Sequence, residues 1–274
     1  MTARSFPQLL AALTLVALGA FGSAAAPAAA RPPAKKKANA AVEQAKVMLA
    51  SGETEDIETG IQSLGLLGTA DAVPPLVERI RAGLAPQLLD TAIVTLMALG
   101  QPTAAPVLFE LTTHRRPQVR LRAMEAIVSL TPKGTEDMLR ARLSDQDAQV
   151  RSAAALGLGE IKAVGSVDLL FKALDQGNFE ASTAIGKLLR PEQLPRLLSY
   201  LGQTPFQSLG PALGEVLQRK DISEKDKLMV VSRLQDVGTP EVKSYLGDLM
   251  HLAGDKLPAA VRRAVVQAMS EIVD

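Results

Sequence analysis

Along most of this chain the apolar positions return every three or four residues. Ile57, Ile61, Leu64 and Leu67 fall at i, i+4, i+7 and i+10, which puts them on one side of a helix. Val73, Leu76, Val77 and Ile80 make a second stripe of the same kind, and Gly68 marks the turn between the two. The spacing predicts a lead-in helix over about 39–50. Helical pairs follow at about 53–68/71–83, 86–100/103–113, 117–131/134–143, 147–162/165–176 and 178–189/191–202. Beyond them come helices at about 206–219, 223–237 and 239–253, and a closing helix at about 257–273. Helix-start chemistry agrees with these limits. Asp147 stands as an N-cap before Val150, and Asn178 as the cap of a shorter first helix in the fifth pair. Pro74 and Pro117 fit first-turn positions, where no amide donor is needed.

The stripes recur as units. Val119-Arg120, Ala123, Ile127 and Leu130 coincide with Val150-Arg151, Ala154, Leu158 and Ile161 at an offset of about 31 residues, and the pattern returns at Val261-Arg262. Gly68, Ala72-Val73 and Leu76 coincide with Gly100, Ala104-Ala105 and Leu108 at an offset of about 32. One helical pair alone has an apolar face it cannot bury, and stacking identical pairs buries it. The expected fold class is therefore all-α, a solenoid of about 6–7 helical hairpins. The period breaks over 203–238, so a change of curvature is expected there.

Asp147-Ala-Gln-Val-Arg-Ser-Ala-Ala-Ala-Leu-Gly-Leu-Gly-Glu-Ile161, followed by Val167-Asp168-Leu169-Leu170, resembles the HEAT-like repeat of the phycobilisome-lyase type. Residues 63–76 resemble its second half, and the likeness covers about 53–202 well and 239–273 loosely. The resemblance implies a right-handed superhelix whose second helices line a concave, ligand-facing side, and it implies protein–protein binding. Lyase activity is not implied. The chain departs from the pattern at position 136, where Glu replaces Val or Ala. It departs again at Thr131-Pro132, where the first two units carry Gly68 and Gly100, and in having no Asp/Arg ladder that recurs between units.

Composition adds three constraints. Of 274 residues, 47% are hydrophobic but only 3% aromatic, with no Trp, so Ala, Leu and Val carry the core, as suits close helix packing. The absence of cysteine excludes disulfides, thiol chemistry and a lipidated-cysteine anchor. The first thirty residues hold one charge, Arg4, and run through Leu9–Leu18 into small residues ending near Ala24, Ala26 or Ala30, the layout of a secretory signal peptide. An uncleaved membrane anchor is the alternative, since about 25 apolar residues span a bilayer. A basic Pro/Lys linker over 31–38 and the solenoid over 39–274 complete the domain plan. Without residues 1–30 the chain carries 29 basic and 29 acidic groups, a balance that disfavours nucleic acid as a partner.

Candidate chemistry is sparse. His114 and His251 are the two histidines, neither at metal-ligand spacing, and no nucleophile or phosphate-loop motif is present. The chain is expected to be no enzyme and to need no cofactor or metal. Two features suggest contact surfaces. Arg115, Arg116, Arg120, Arg122, Arg140 and Arg142 concentrate positive charge in the third unit, fit for an acidic segment or anionic envelope material. Val77, Phe109, Arg140 and Phe171 share one column of the second helices, either at the margin of the concave face or in the core. Tyr200 and Tyr245 are further candidates on second helices. The expectation is a monomeric periplasmic or secreted adaptor that holds another envelope protein against its concave face. The alternative is a binder of anionic envelope material through the third unit.

Overall fold

The computed structural model describes residues 34–273. The apolar runs at i, i+3/i+4 and i+7 become helices in the expected order. They are α1 (Ala34–Leu49), α2 (Thr54–Leu67), α3 (Val73–Ala82), α4 (Pro86–Leu99), α5 (Ala105–Leu111), α6 (Pro117–Leu130), α7 (Thr135–Arg142) and α8 (Ala148–Glu160). Then come α9 (Val167–Asp175), α10 (Ala181–Leu188), α11 (Leu194–Leu198), α12 (Phe206–Gln218), α13 (Glu224–Val237), α14 (Pro240–Ala253) and α15 (Ala259–Glu271). Helix α1 begins inside the stretch expected as a linker. The signal segment over 1–30 lies outside the described residues. No described helix is long and apolar enough to cross a membrane.

The helices stack as an α-solenoid in two layers. First helices α2, α4, α6, α8, α10 and α12 each pack on the next, and α3, α5, α7, α9 and α11 form the second layer. Small residues let the first layer approach at backbone distance. A Cβ on Gly60 would lie 3.1 Å from the Ala45 carbonyl oxygen, and one on Gly159 would lie 3.2 Å from Cα of Ala184. The second layer is joined by long side chains instead, as described below. In the last pairs this relation reverses. There α13 packs closely on α15, while the Phe206 and Tyr245 rings, 5.2 Å apart and edge to face, stand between α12 and α14. The broken period at 203–238 corresponds to this exchange.

Turn chemistry explains the units' shared shape. The first helices α2, α4, α6 and α8 each end on a residue with positive φ: Gly68 (64°), Gly100 (64°), Thr131 (47°) and Lys162 (58°), at successive offsets of 32, 31 and 31 in the sequence. Only the first two are glycine, yet all four take the left-handed conformation that turns the chain back for the second helix. Asp147 caps α8 as expected, its carboxylate accepting from the Val150 amide at 3.1 Å. Asn178 does not cap its helix, which begins at Ala181. It is buried and donates from Nδ2 to the Arg151 carbonyl oxygen at 3.0 Å, tying the fifth pair to the fourth. Helix α11 is a short segment after a 3-10 turn at Pro191–Gln193, where a full second helix was expected.

Candidate functional site

The second helices present a long face, and its side chains link one unit to the next. Arg81 on α3 grips Glu110 on α5 with two bonds, Nε to Oε2 at 3.2 Å and Nη2 to Oε1 at 2.6 Å. This fork holds the Glu110 carboxyl below the usual carboxylate range. Arg140 on α7 donates to Glu136 Oε1 at 2.6 Å and to Ser166 Oγ at 2.8 Å, and Ser166 donates back to Glu136 at 3.0 Å. Arg196 on α11 reaches Asp168 on α9 at 3.4 Å and lies 4.1 Å above the Phe171 ring. Tyr200 stacks beside that ring, centroids 6.1 Å apart, and donates its hydroxyl to Asp175. Burial, and then that bond to Asp175, raises the Tyr200 phenol above its ordinary range.

These contacts revise the expected column. Phe171 is fully buried beneath Arg196 and Tyr200, so it offers no surface to a partner. Phe109 is half-buried and packs on the core formed by α1–α6. Arg140, at the same place in the third unit, is held by Glu136 and Ser166. Tyr245 is also an internal group. Its ring lies against Gly210 and Gly214, its hydroxyl is buried without a hydrogen-bond partner, and burial raises its pKa well above the ordinary phenol value. Groups that stand outward on the second helices include Glu78, Leu169 and Lys172, with Leu169 42% exposed. Periodicity places Leu169 next to the core residue Leu170 and cannot separate the two. The departure of α9 from a purely apolar stripe is the only signal for it.

The third-unit arginines are largely occupied. Arg120 is 9% exposed, pairs with Asp145 and donates to the His114 carbonyl oxygen at 2.9 Å. Burial alone would raise the Asp145 carboxyl, but Arg120, the Asp147 amide and Arg142 together hold it below its ordinary value. Arg142 lies 3.6 Å from Asp145, and Arg122 bridges Asp90 at 2.8 Å and Glu125 at 2.7 Å. Arg115 and Arg116 are exposed and carry no ion pair among the described residues. Burial and the neighbouring Arg115 lower the pKa of His114, whose Nδ1 accepts from the Arg116 amide at 3.2 Å. What looks in sequence like a basic patch is mostly mortar between units. The cross-unit pairs occupy different positions in different units, which is why no recurring ladder shows in the sequence.

Two recesses lie at the ends of the stack. One of about 330 Å³ runs between α1 and α3, lined by Glu43, Lys46, Asp71 and Glu78 among others. The other, of about 620 Å³, lies on α15 and the end of α14, beside Met250, Arg262, Arg263 and Val266. Neither gathers a nucleophile with a base. Among the described residues no group of three His, Asp or Glu side chains could hold a metal ion.

Residues 108–188, the stretch from α5 to α10, match the family model described as HEAT repeats. That stretch is built of HEAT repeats. No curated protein sequence matches the chain. Among solved structures the chain is similar to the complex of CpcE and CpcF of phycocyanin lyase from Nostoc sp. PCC7120, at 17% identity over 94% of this chain and 100% of that one, with a TM-score of 0.44. It is also similar to a designed armadillo repeat protein in complex with the peptide (KR)4, at 14% identity over 85% and 99%, with a TM-score of 0.40. A HEAT scaffold of this kind fits a protein-interaction role.

Proposed function

We propose that this HEAT-repeat protein is a non-catalytic scaffold of the cell envelope that binds another protein through the face of its second helices. The observation that carries the reading is the locking of that face. Arg81–Glu110 in the first half of the stack and Arg196–Asp168 in the second each tie one second helix to the next unit, so each stretch of the surface is ordered before any partner arrives. Ordering in advance lowers the entropic cost of association, and an extended face without a closed pocket suits a protein more than a small substrate. Leu169 and Lys172 give it an exposed apolar and cationic centre. The layout of residues 1–30 supports export.

The test places a photo-cross-linking amino acid at Leu169 of the full-length chain in intact cells and identifies the adducts by mass spectrometry. A specific envelope protein is expected, and a Leu169→Asp/Lys172→Glu variant with an unchanged circular dichroism spectrum is expected to lose binding to it. Capture that survives the double change would remove this face from the reading. Adducts with cytosolic proteins only, on a chain whose N-terminus still begins at Met1, would overturn the envelope placement. Binding only to anionic polymer, released by salt, would favour Arg115 and Arg116 over the second-helix face.

A further inference from the structure

The buried apolar side chains fall into two groups. Val42 through Leu111, with Val119, Ala123, Ala126 and Ile127 of α6, form one. Met124, Leu139 and Leu143, with the buried apolar residues from Val150 to Ile272, form the other. Helix α6 contributes to both, and the half-buried Met138 touches each. The division falls on the third unit, whose second helix differs from those of the first, second and fourth at two inward positions. Where neighbouring units place Val73, Ala105 and Val167, this unit places Glu136, and where they place Val77, Phe109 and Phe171 it places Arg140. Thr135, buried, takes the place of Ala72 and Ala104, as Ser166 does in the next unit.

We infer that the third helical pair is a joint: two separately packed blocks meet there across polar contacts and can bend and open independently. In a stacked solenoid, cooperativity between units is set by the interface each makes with the next. At the positions of Glu136 and Arg140 the neighbouring second helices are apolar, although Arg81–Glu110 and Arg196–Asp168 add exposed polar contacts between units there. Here the second helix carries Glu136–Arg140–Ser166, and Arg120–Asp145 ties α6 to the turn before α8. Of these, the Glu136–Arg140 pair is more than a third exposed, where ion pairing is worth little. The buried Arg120–Asp145 pair offsets a desolvation cost before it contributes anything. Such bonds fix geometry without the large apolar coupling that makes neighbouring units unfold together. A binding face that crosses the joint can then change its curvature around a partner while each block stays rigid.

Hydrogen exchange of the intact chain tests this. Ile61→Ala, a fully buried deletion in the first block, is expected to accelerate exchange of the slowest amides of α2–α5 by about thirtyfold or more, while those of α8–α15 are unchanged. Leu213→Ala is expected to do the reverse. Equal acceleration of both blocks by either variant would overturn the joint. A Glu136→Val/Arg140→Phe/Ser166→Ala chain, which restores the pattern of the neighbouring units, is expected to couple the blocks, so that Ile61→Ala then accelerates both. If the blocks stay uncoupled there, the polar contacts are not the cause and the inference fails. The sequence has no native cysteine, so spin labels can be placed freely. A Thr59→Cys/Gln149→Cys pair spans the joint and should give a broader distance distribution than Gln149→Cys/Ser244→Cys within the second block. A span across the joint as narrow as the one within the block would refute bending.

Discussion

Replacing Gly186 with Ala should cost stability, although the same exchange inside a helix usually adds it. Helix propensity favours Ala over Gly by about 1 kcal/mol. At Gly186, however, α10 lies on the backbone of α12. A methyl there would come within 2.7 Å of Cα and 2.9 Å of the carbonyl carbon of Ala212, and closer still to its carbonyl oxygen. Carbon atoms rest at about 3.5–4.0 Å, so the two helices would have to part by about 1 Å. A gap of that size forfeits about a quarter to a half of each dispersion contact across it. That contact buries Ala184, Ile185 and Leu188 on one side and Leu209, Ala212, Leu213 and Val216 on the other. The Gly186 carbonyl also accepts from Arg219 Nη1 at 3.0 Å, a bond the displacement would stretch. Overpacking costs about 1–3 kcal/mol, and a neighbour that is backbone rather than a flexible side chain belongs at the upper end. With the propensity gain subtracted, the expected net loss is about 2 kcal/mol.

Gly247→Ala in α14 is the matched control. The nearest atom to its new methyl is the mobile Met269 Cε at 3.5 Å, so a gain of up to about 1 kcal/mol is expected. Urea unfolding followed by far-ultraviolet circular dichroism, with hydrogen exchange of the α10 and α12 amides, compares the two. If Gly186→Ala unfolds at the same urea concentration as wild type or a higher one, the glycine is not a packing requirement and the close contact of α10 with α12 is wrong.

Tyr245→Phe should stabilise the chain by about 1 kcal/mol, because it removes a buried hydroxyl that has no partner; a thermal shift downward would show a bond not accounted for. Thr131→Gly should raise stability by about 0.5–1 kcal/mol, since a β-branched residue holds φ 47° at the end of α6, and equal urea midpoints would count against strain there. Asp145 has a depressed folded pKa, so its unfolded form binds the proton first as pH falls. Its contribution is complete above about pH 4 and is lost as pH drops through the lower folded value. Asp145→Asn leaves Arg120 buried without its charge partner, which should cost about 3 kcal/mol at neutral pH and flatten the acid limb; an unchanged limb in acid titrations would refute that assignment.

Helix number and order were legible because burial imposes a 3.6-residue period on each element, and the 31-residue recurrence marked the stacking. The contact face was not legible to the same degree. Phe171 and Leu169 are two residues apart, and only the position of α11, which lays Arg196 and Tyr200 over the first, decides which is covered. The arginines of the third unit likewise read as a patch because their partners Asp90, Asp145 and Ser166 are 25–32 residues away. Asn178 has a helix-capping residue type, yet bonding across units claimed its side chain first.

The left-handed turn residues at Gly68, Gly100, Thr131 and Lys162 bear on how long such a molecule can be. Each closes a first helix with positive φ, so the chain enters α3, α5, α7 and α9 from a similar junction. A segment cut at two of these junctions, such as 101–131, begins just after one left-handed residue, ends on the next and carries one second helix with the first helix that follows. Copying it in tandem should extend the stack by one step without a new kind of joint, and deleting it should shorten the stack by one. The protein is in this respect a ruler with interchangeable divisions, whose reach can change by duplication or loss of a 31-residue segment while the folding rules of each division stay the same.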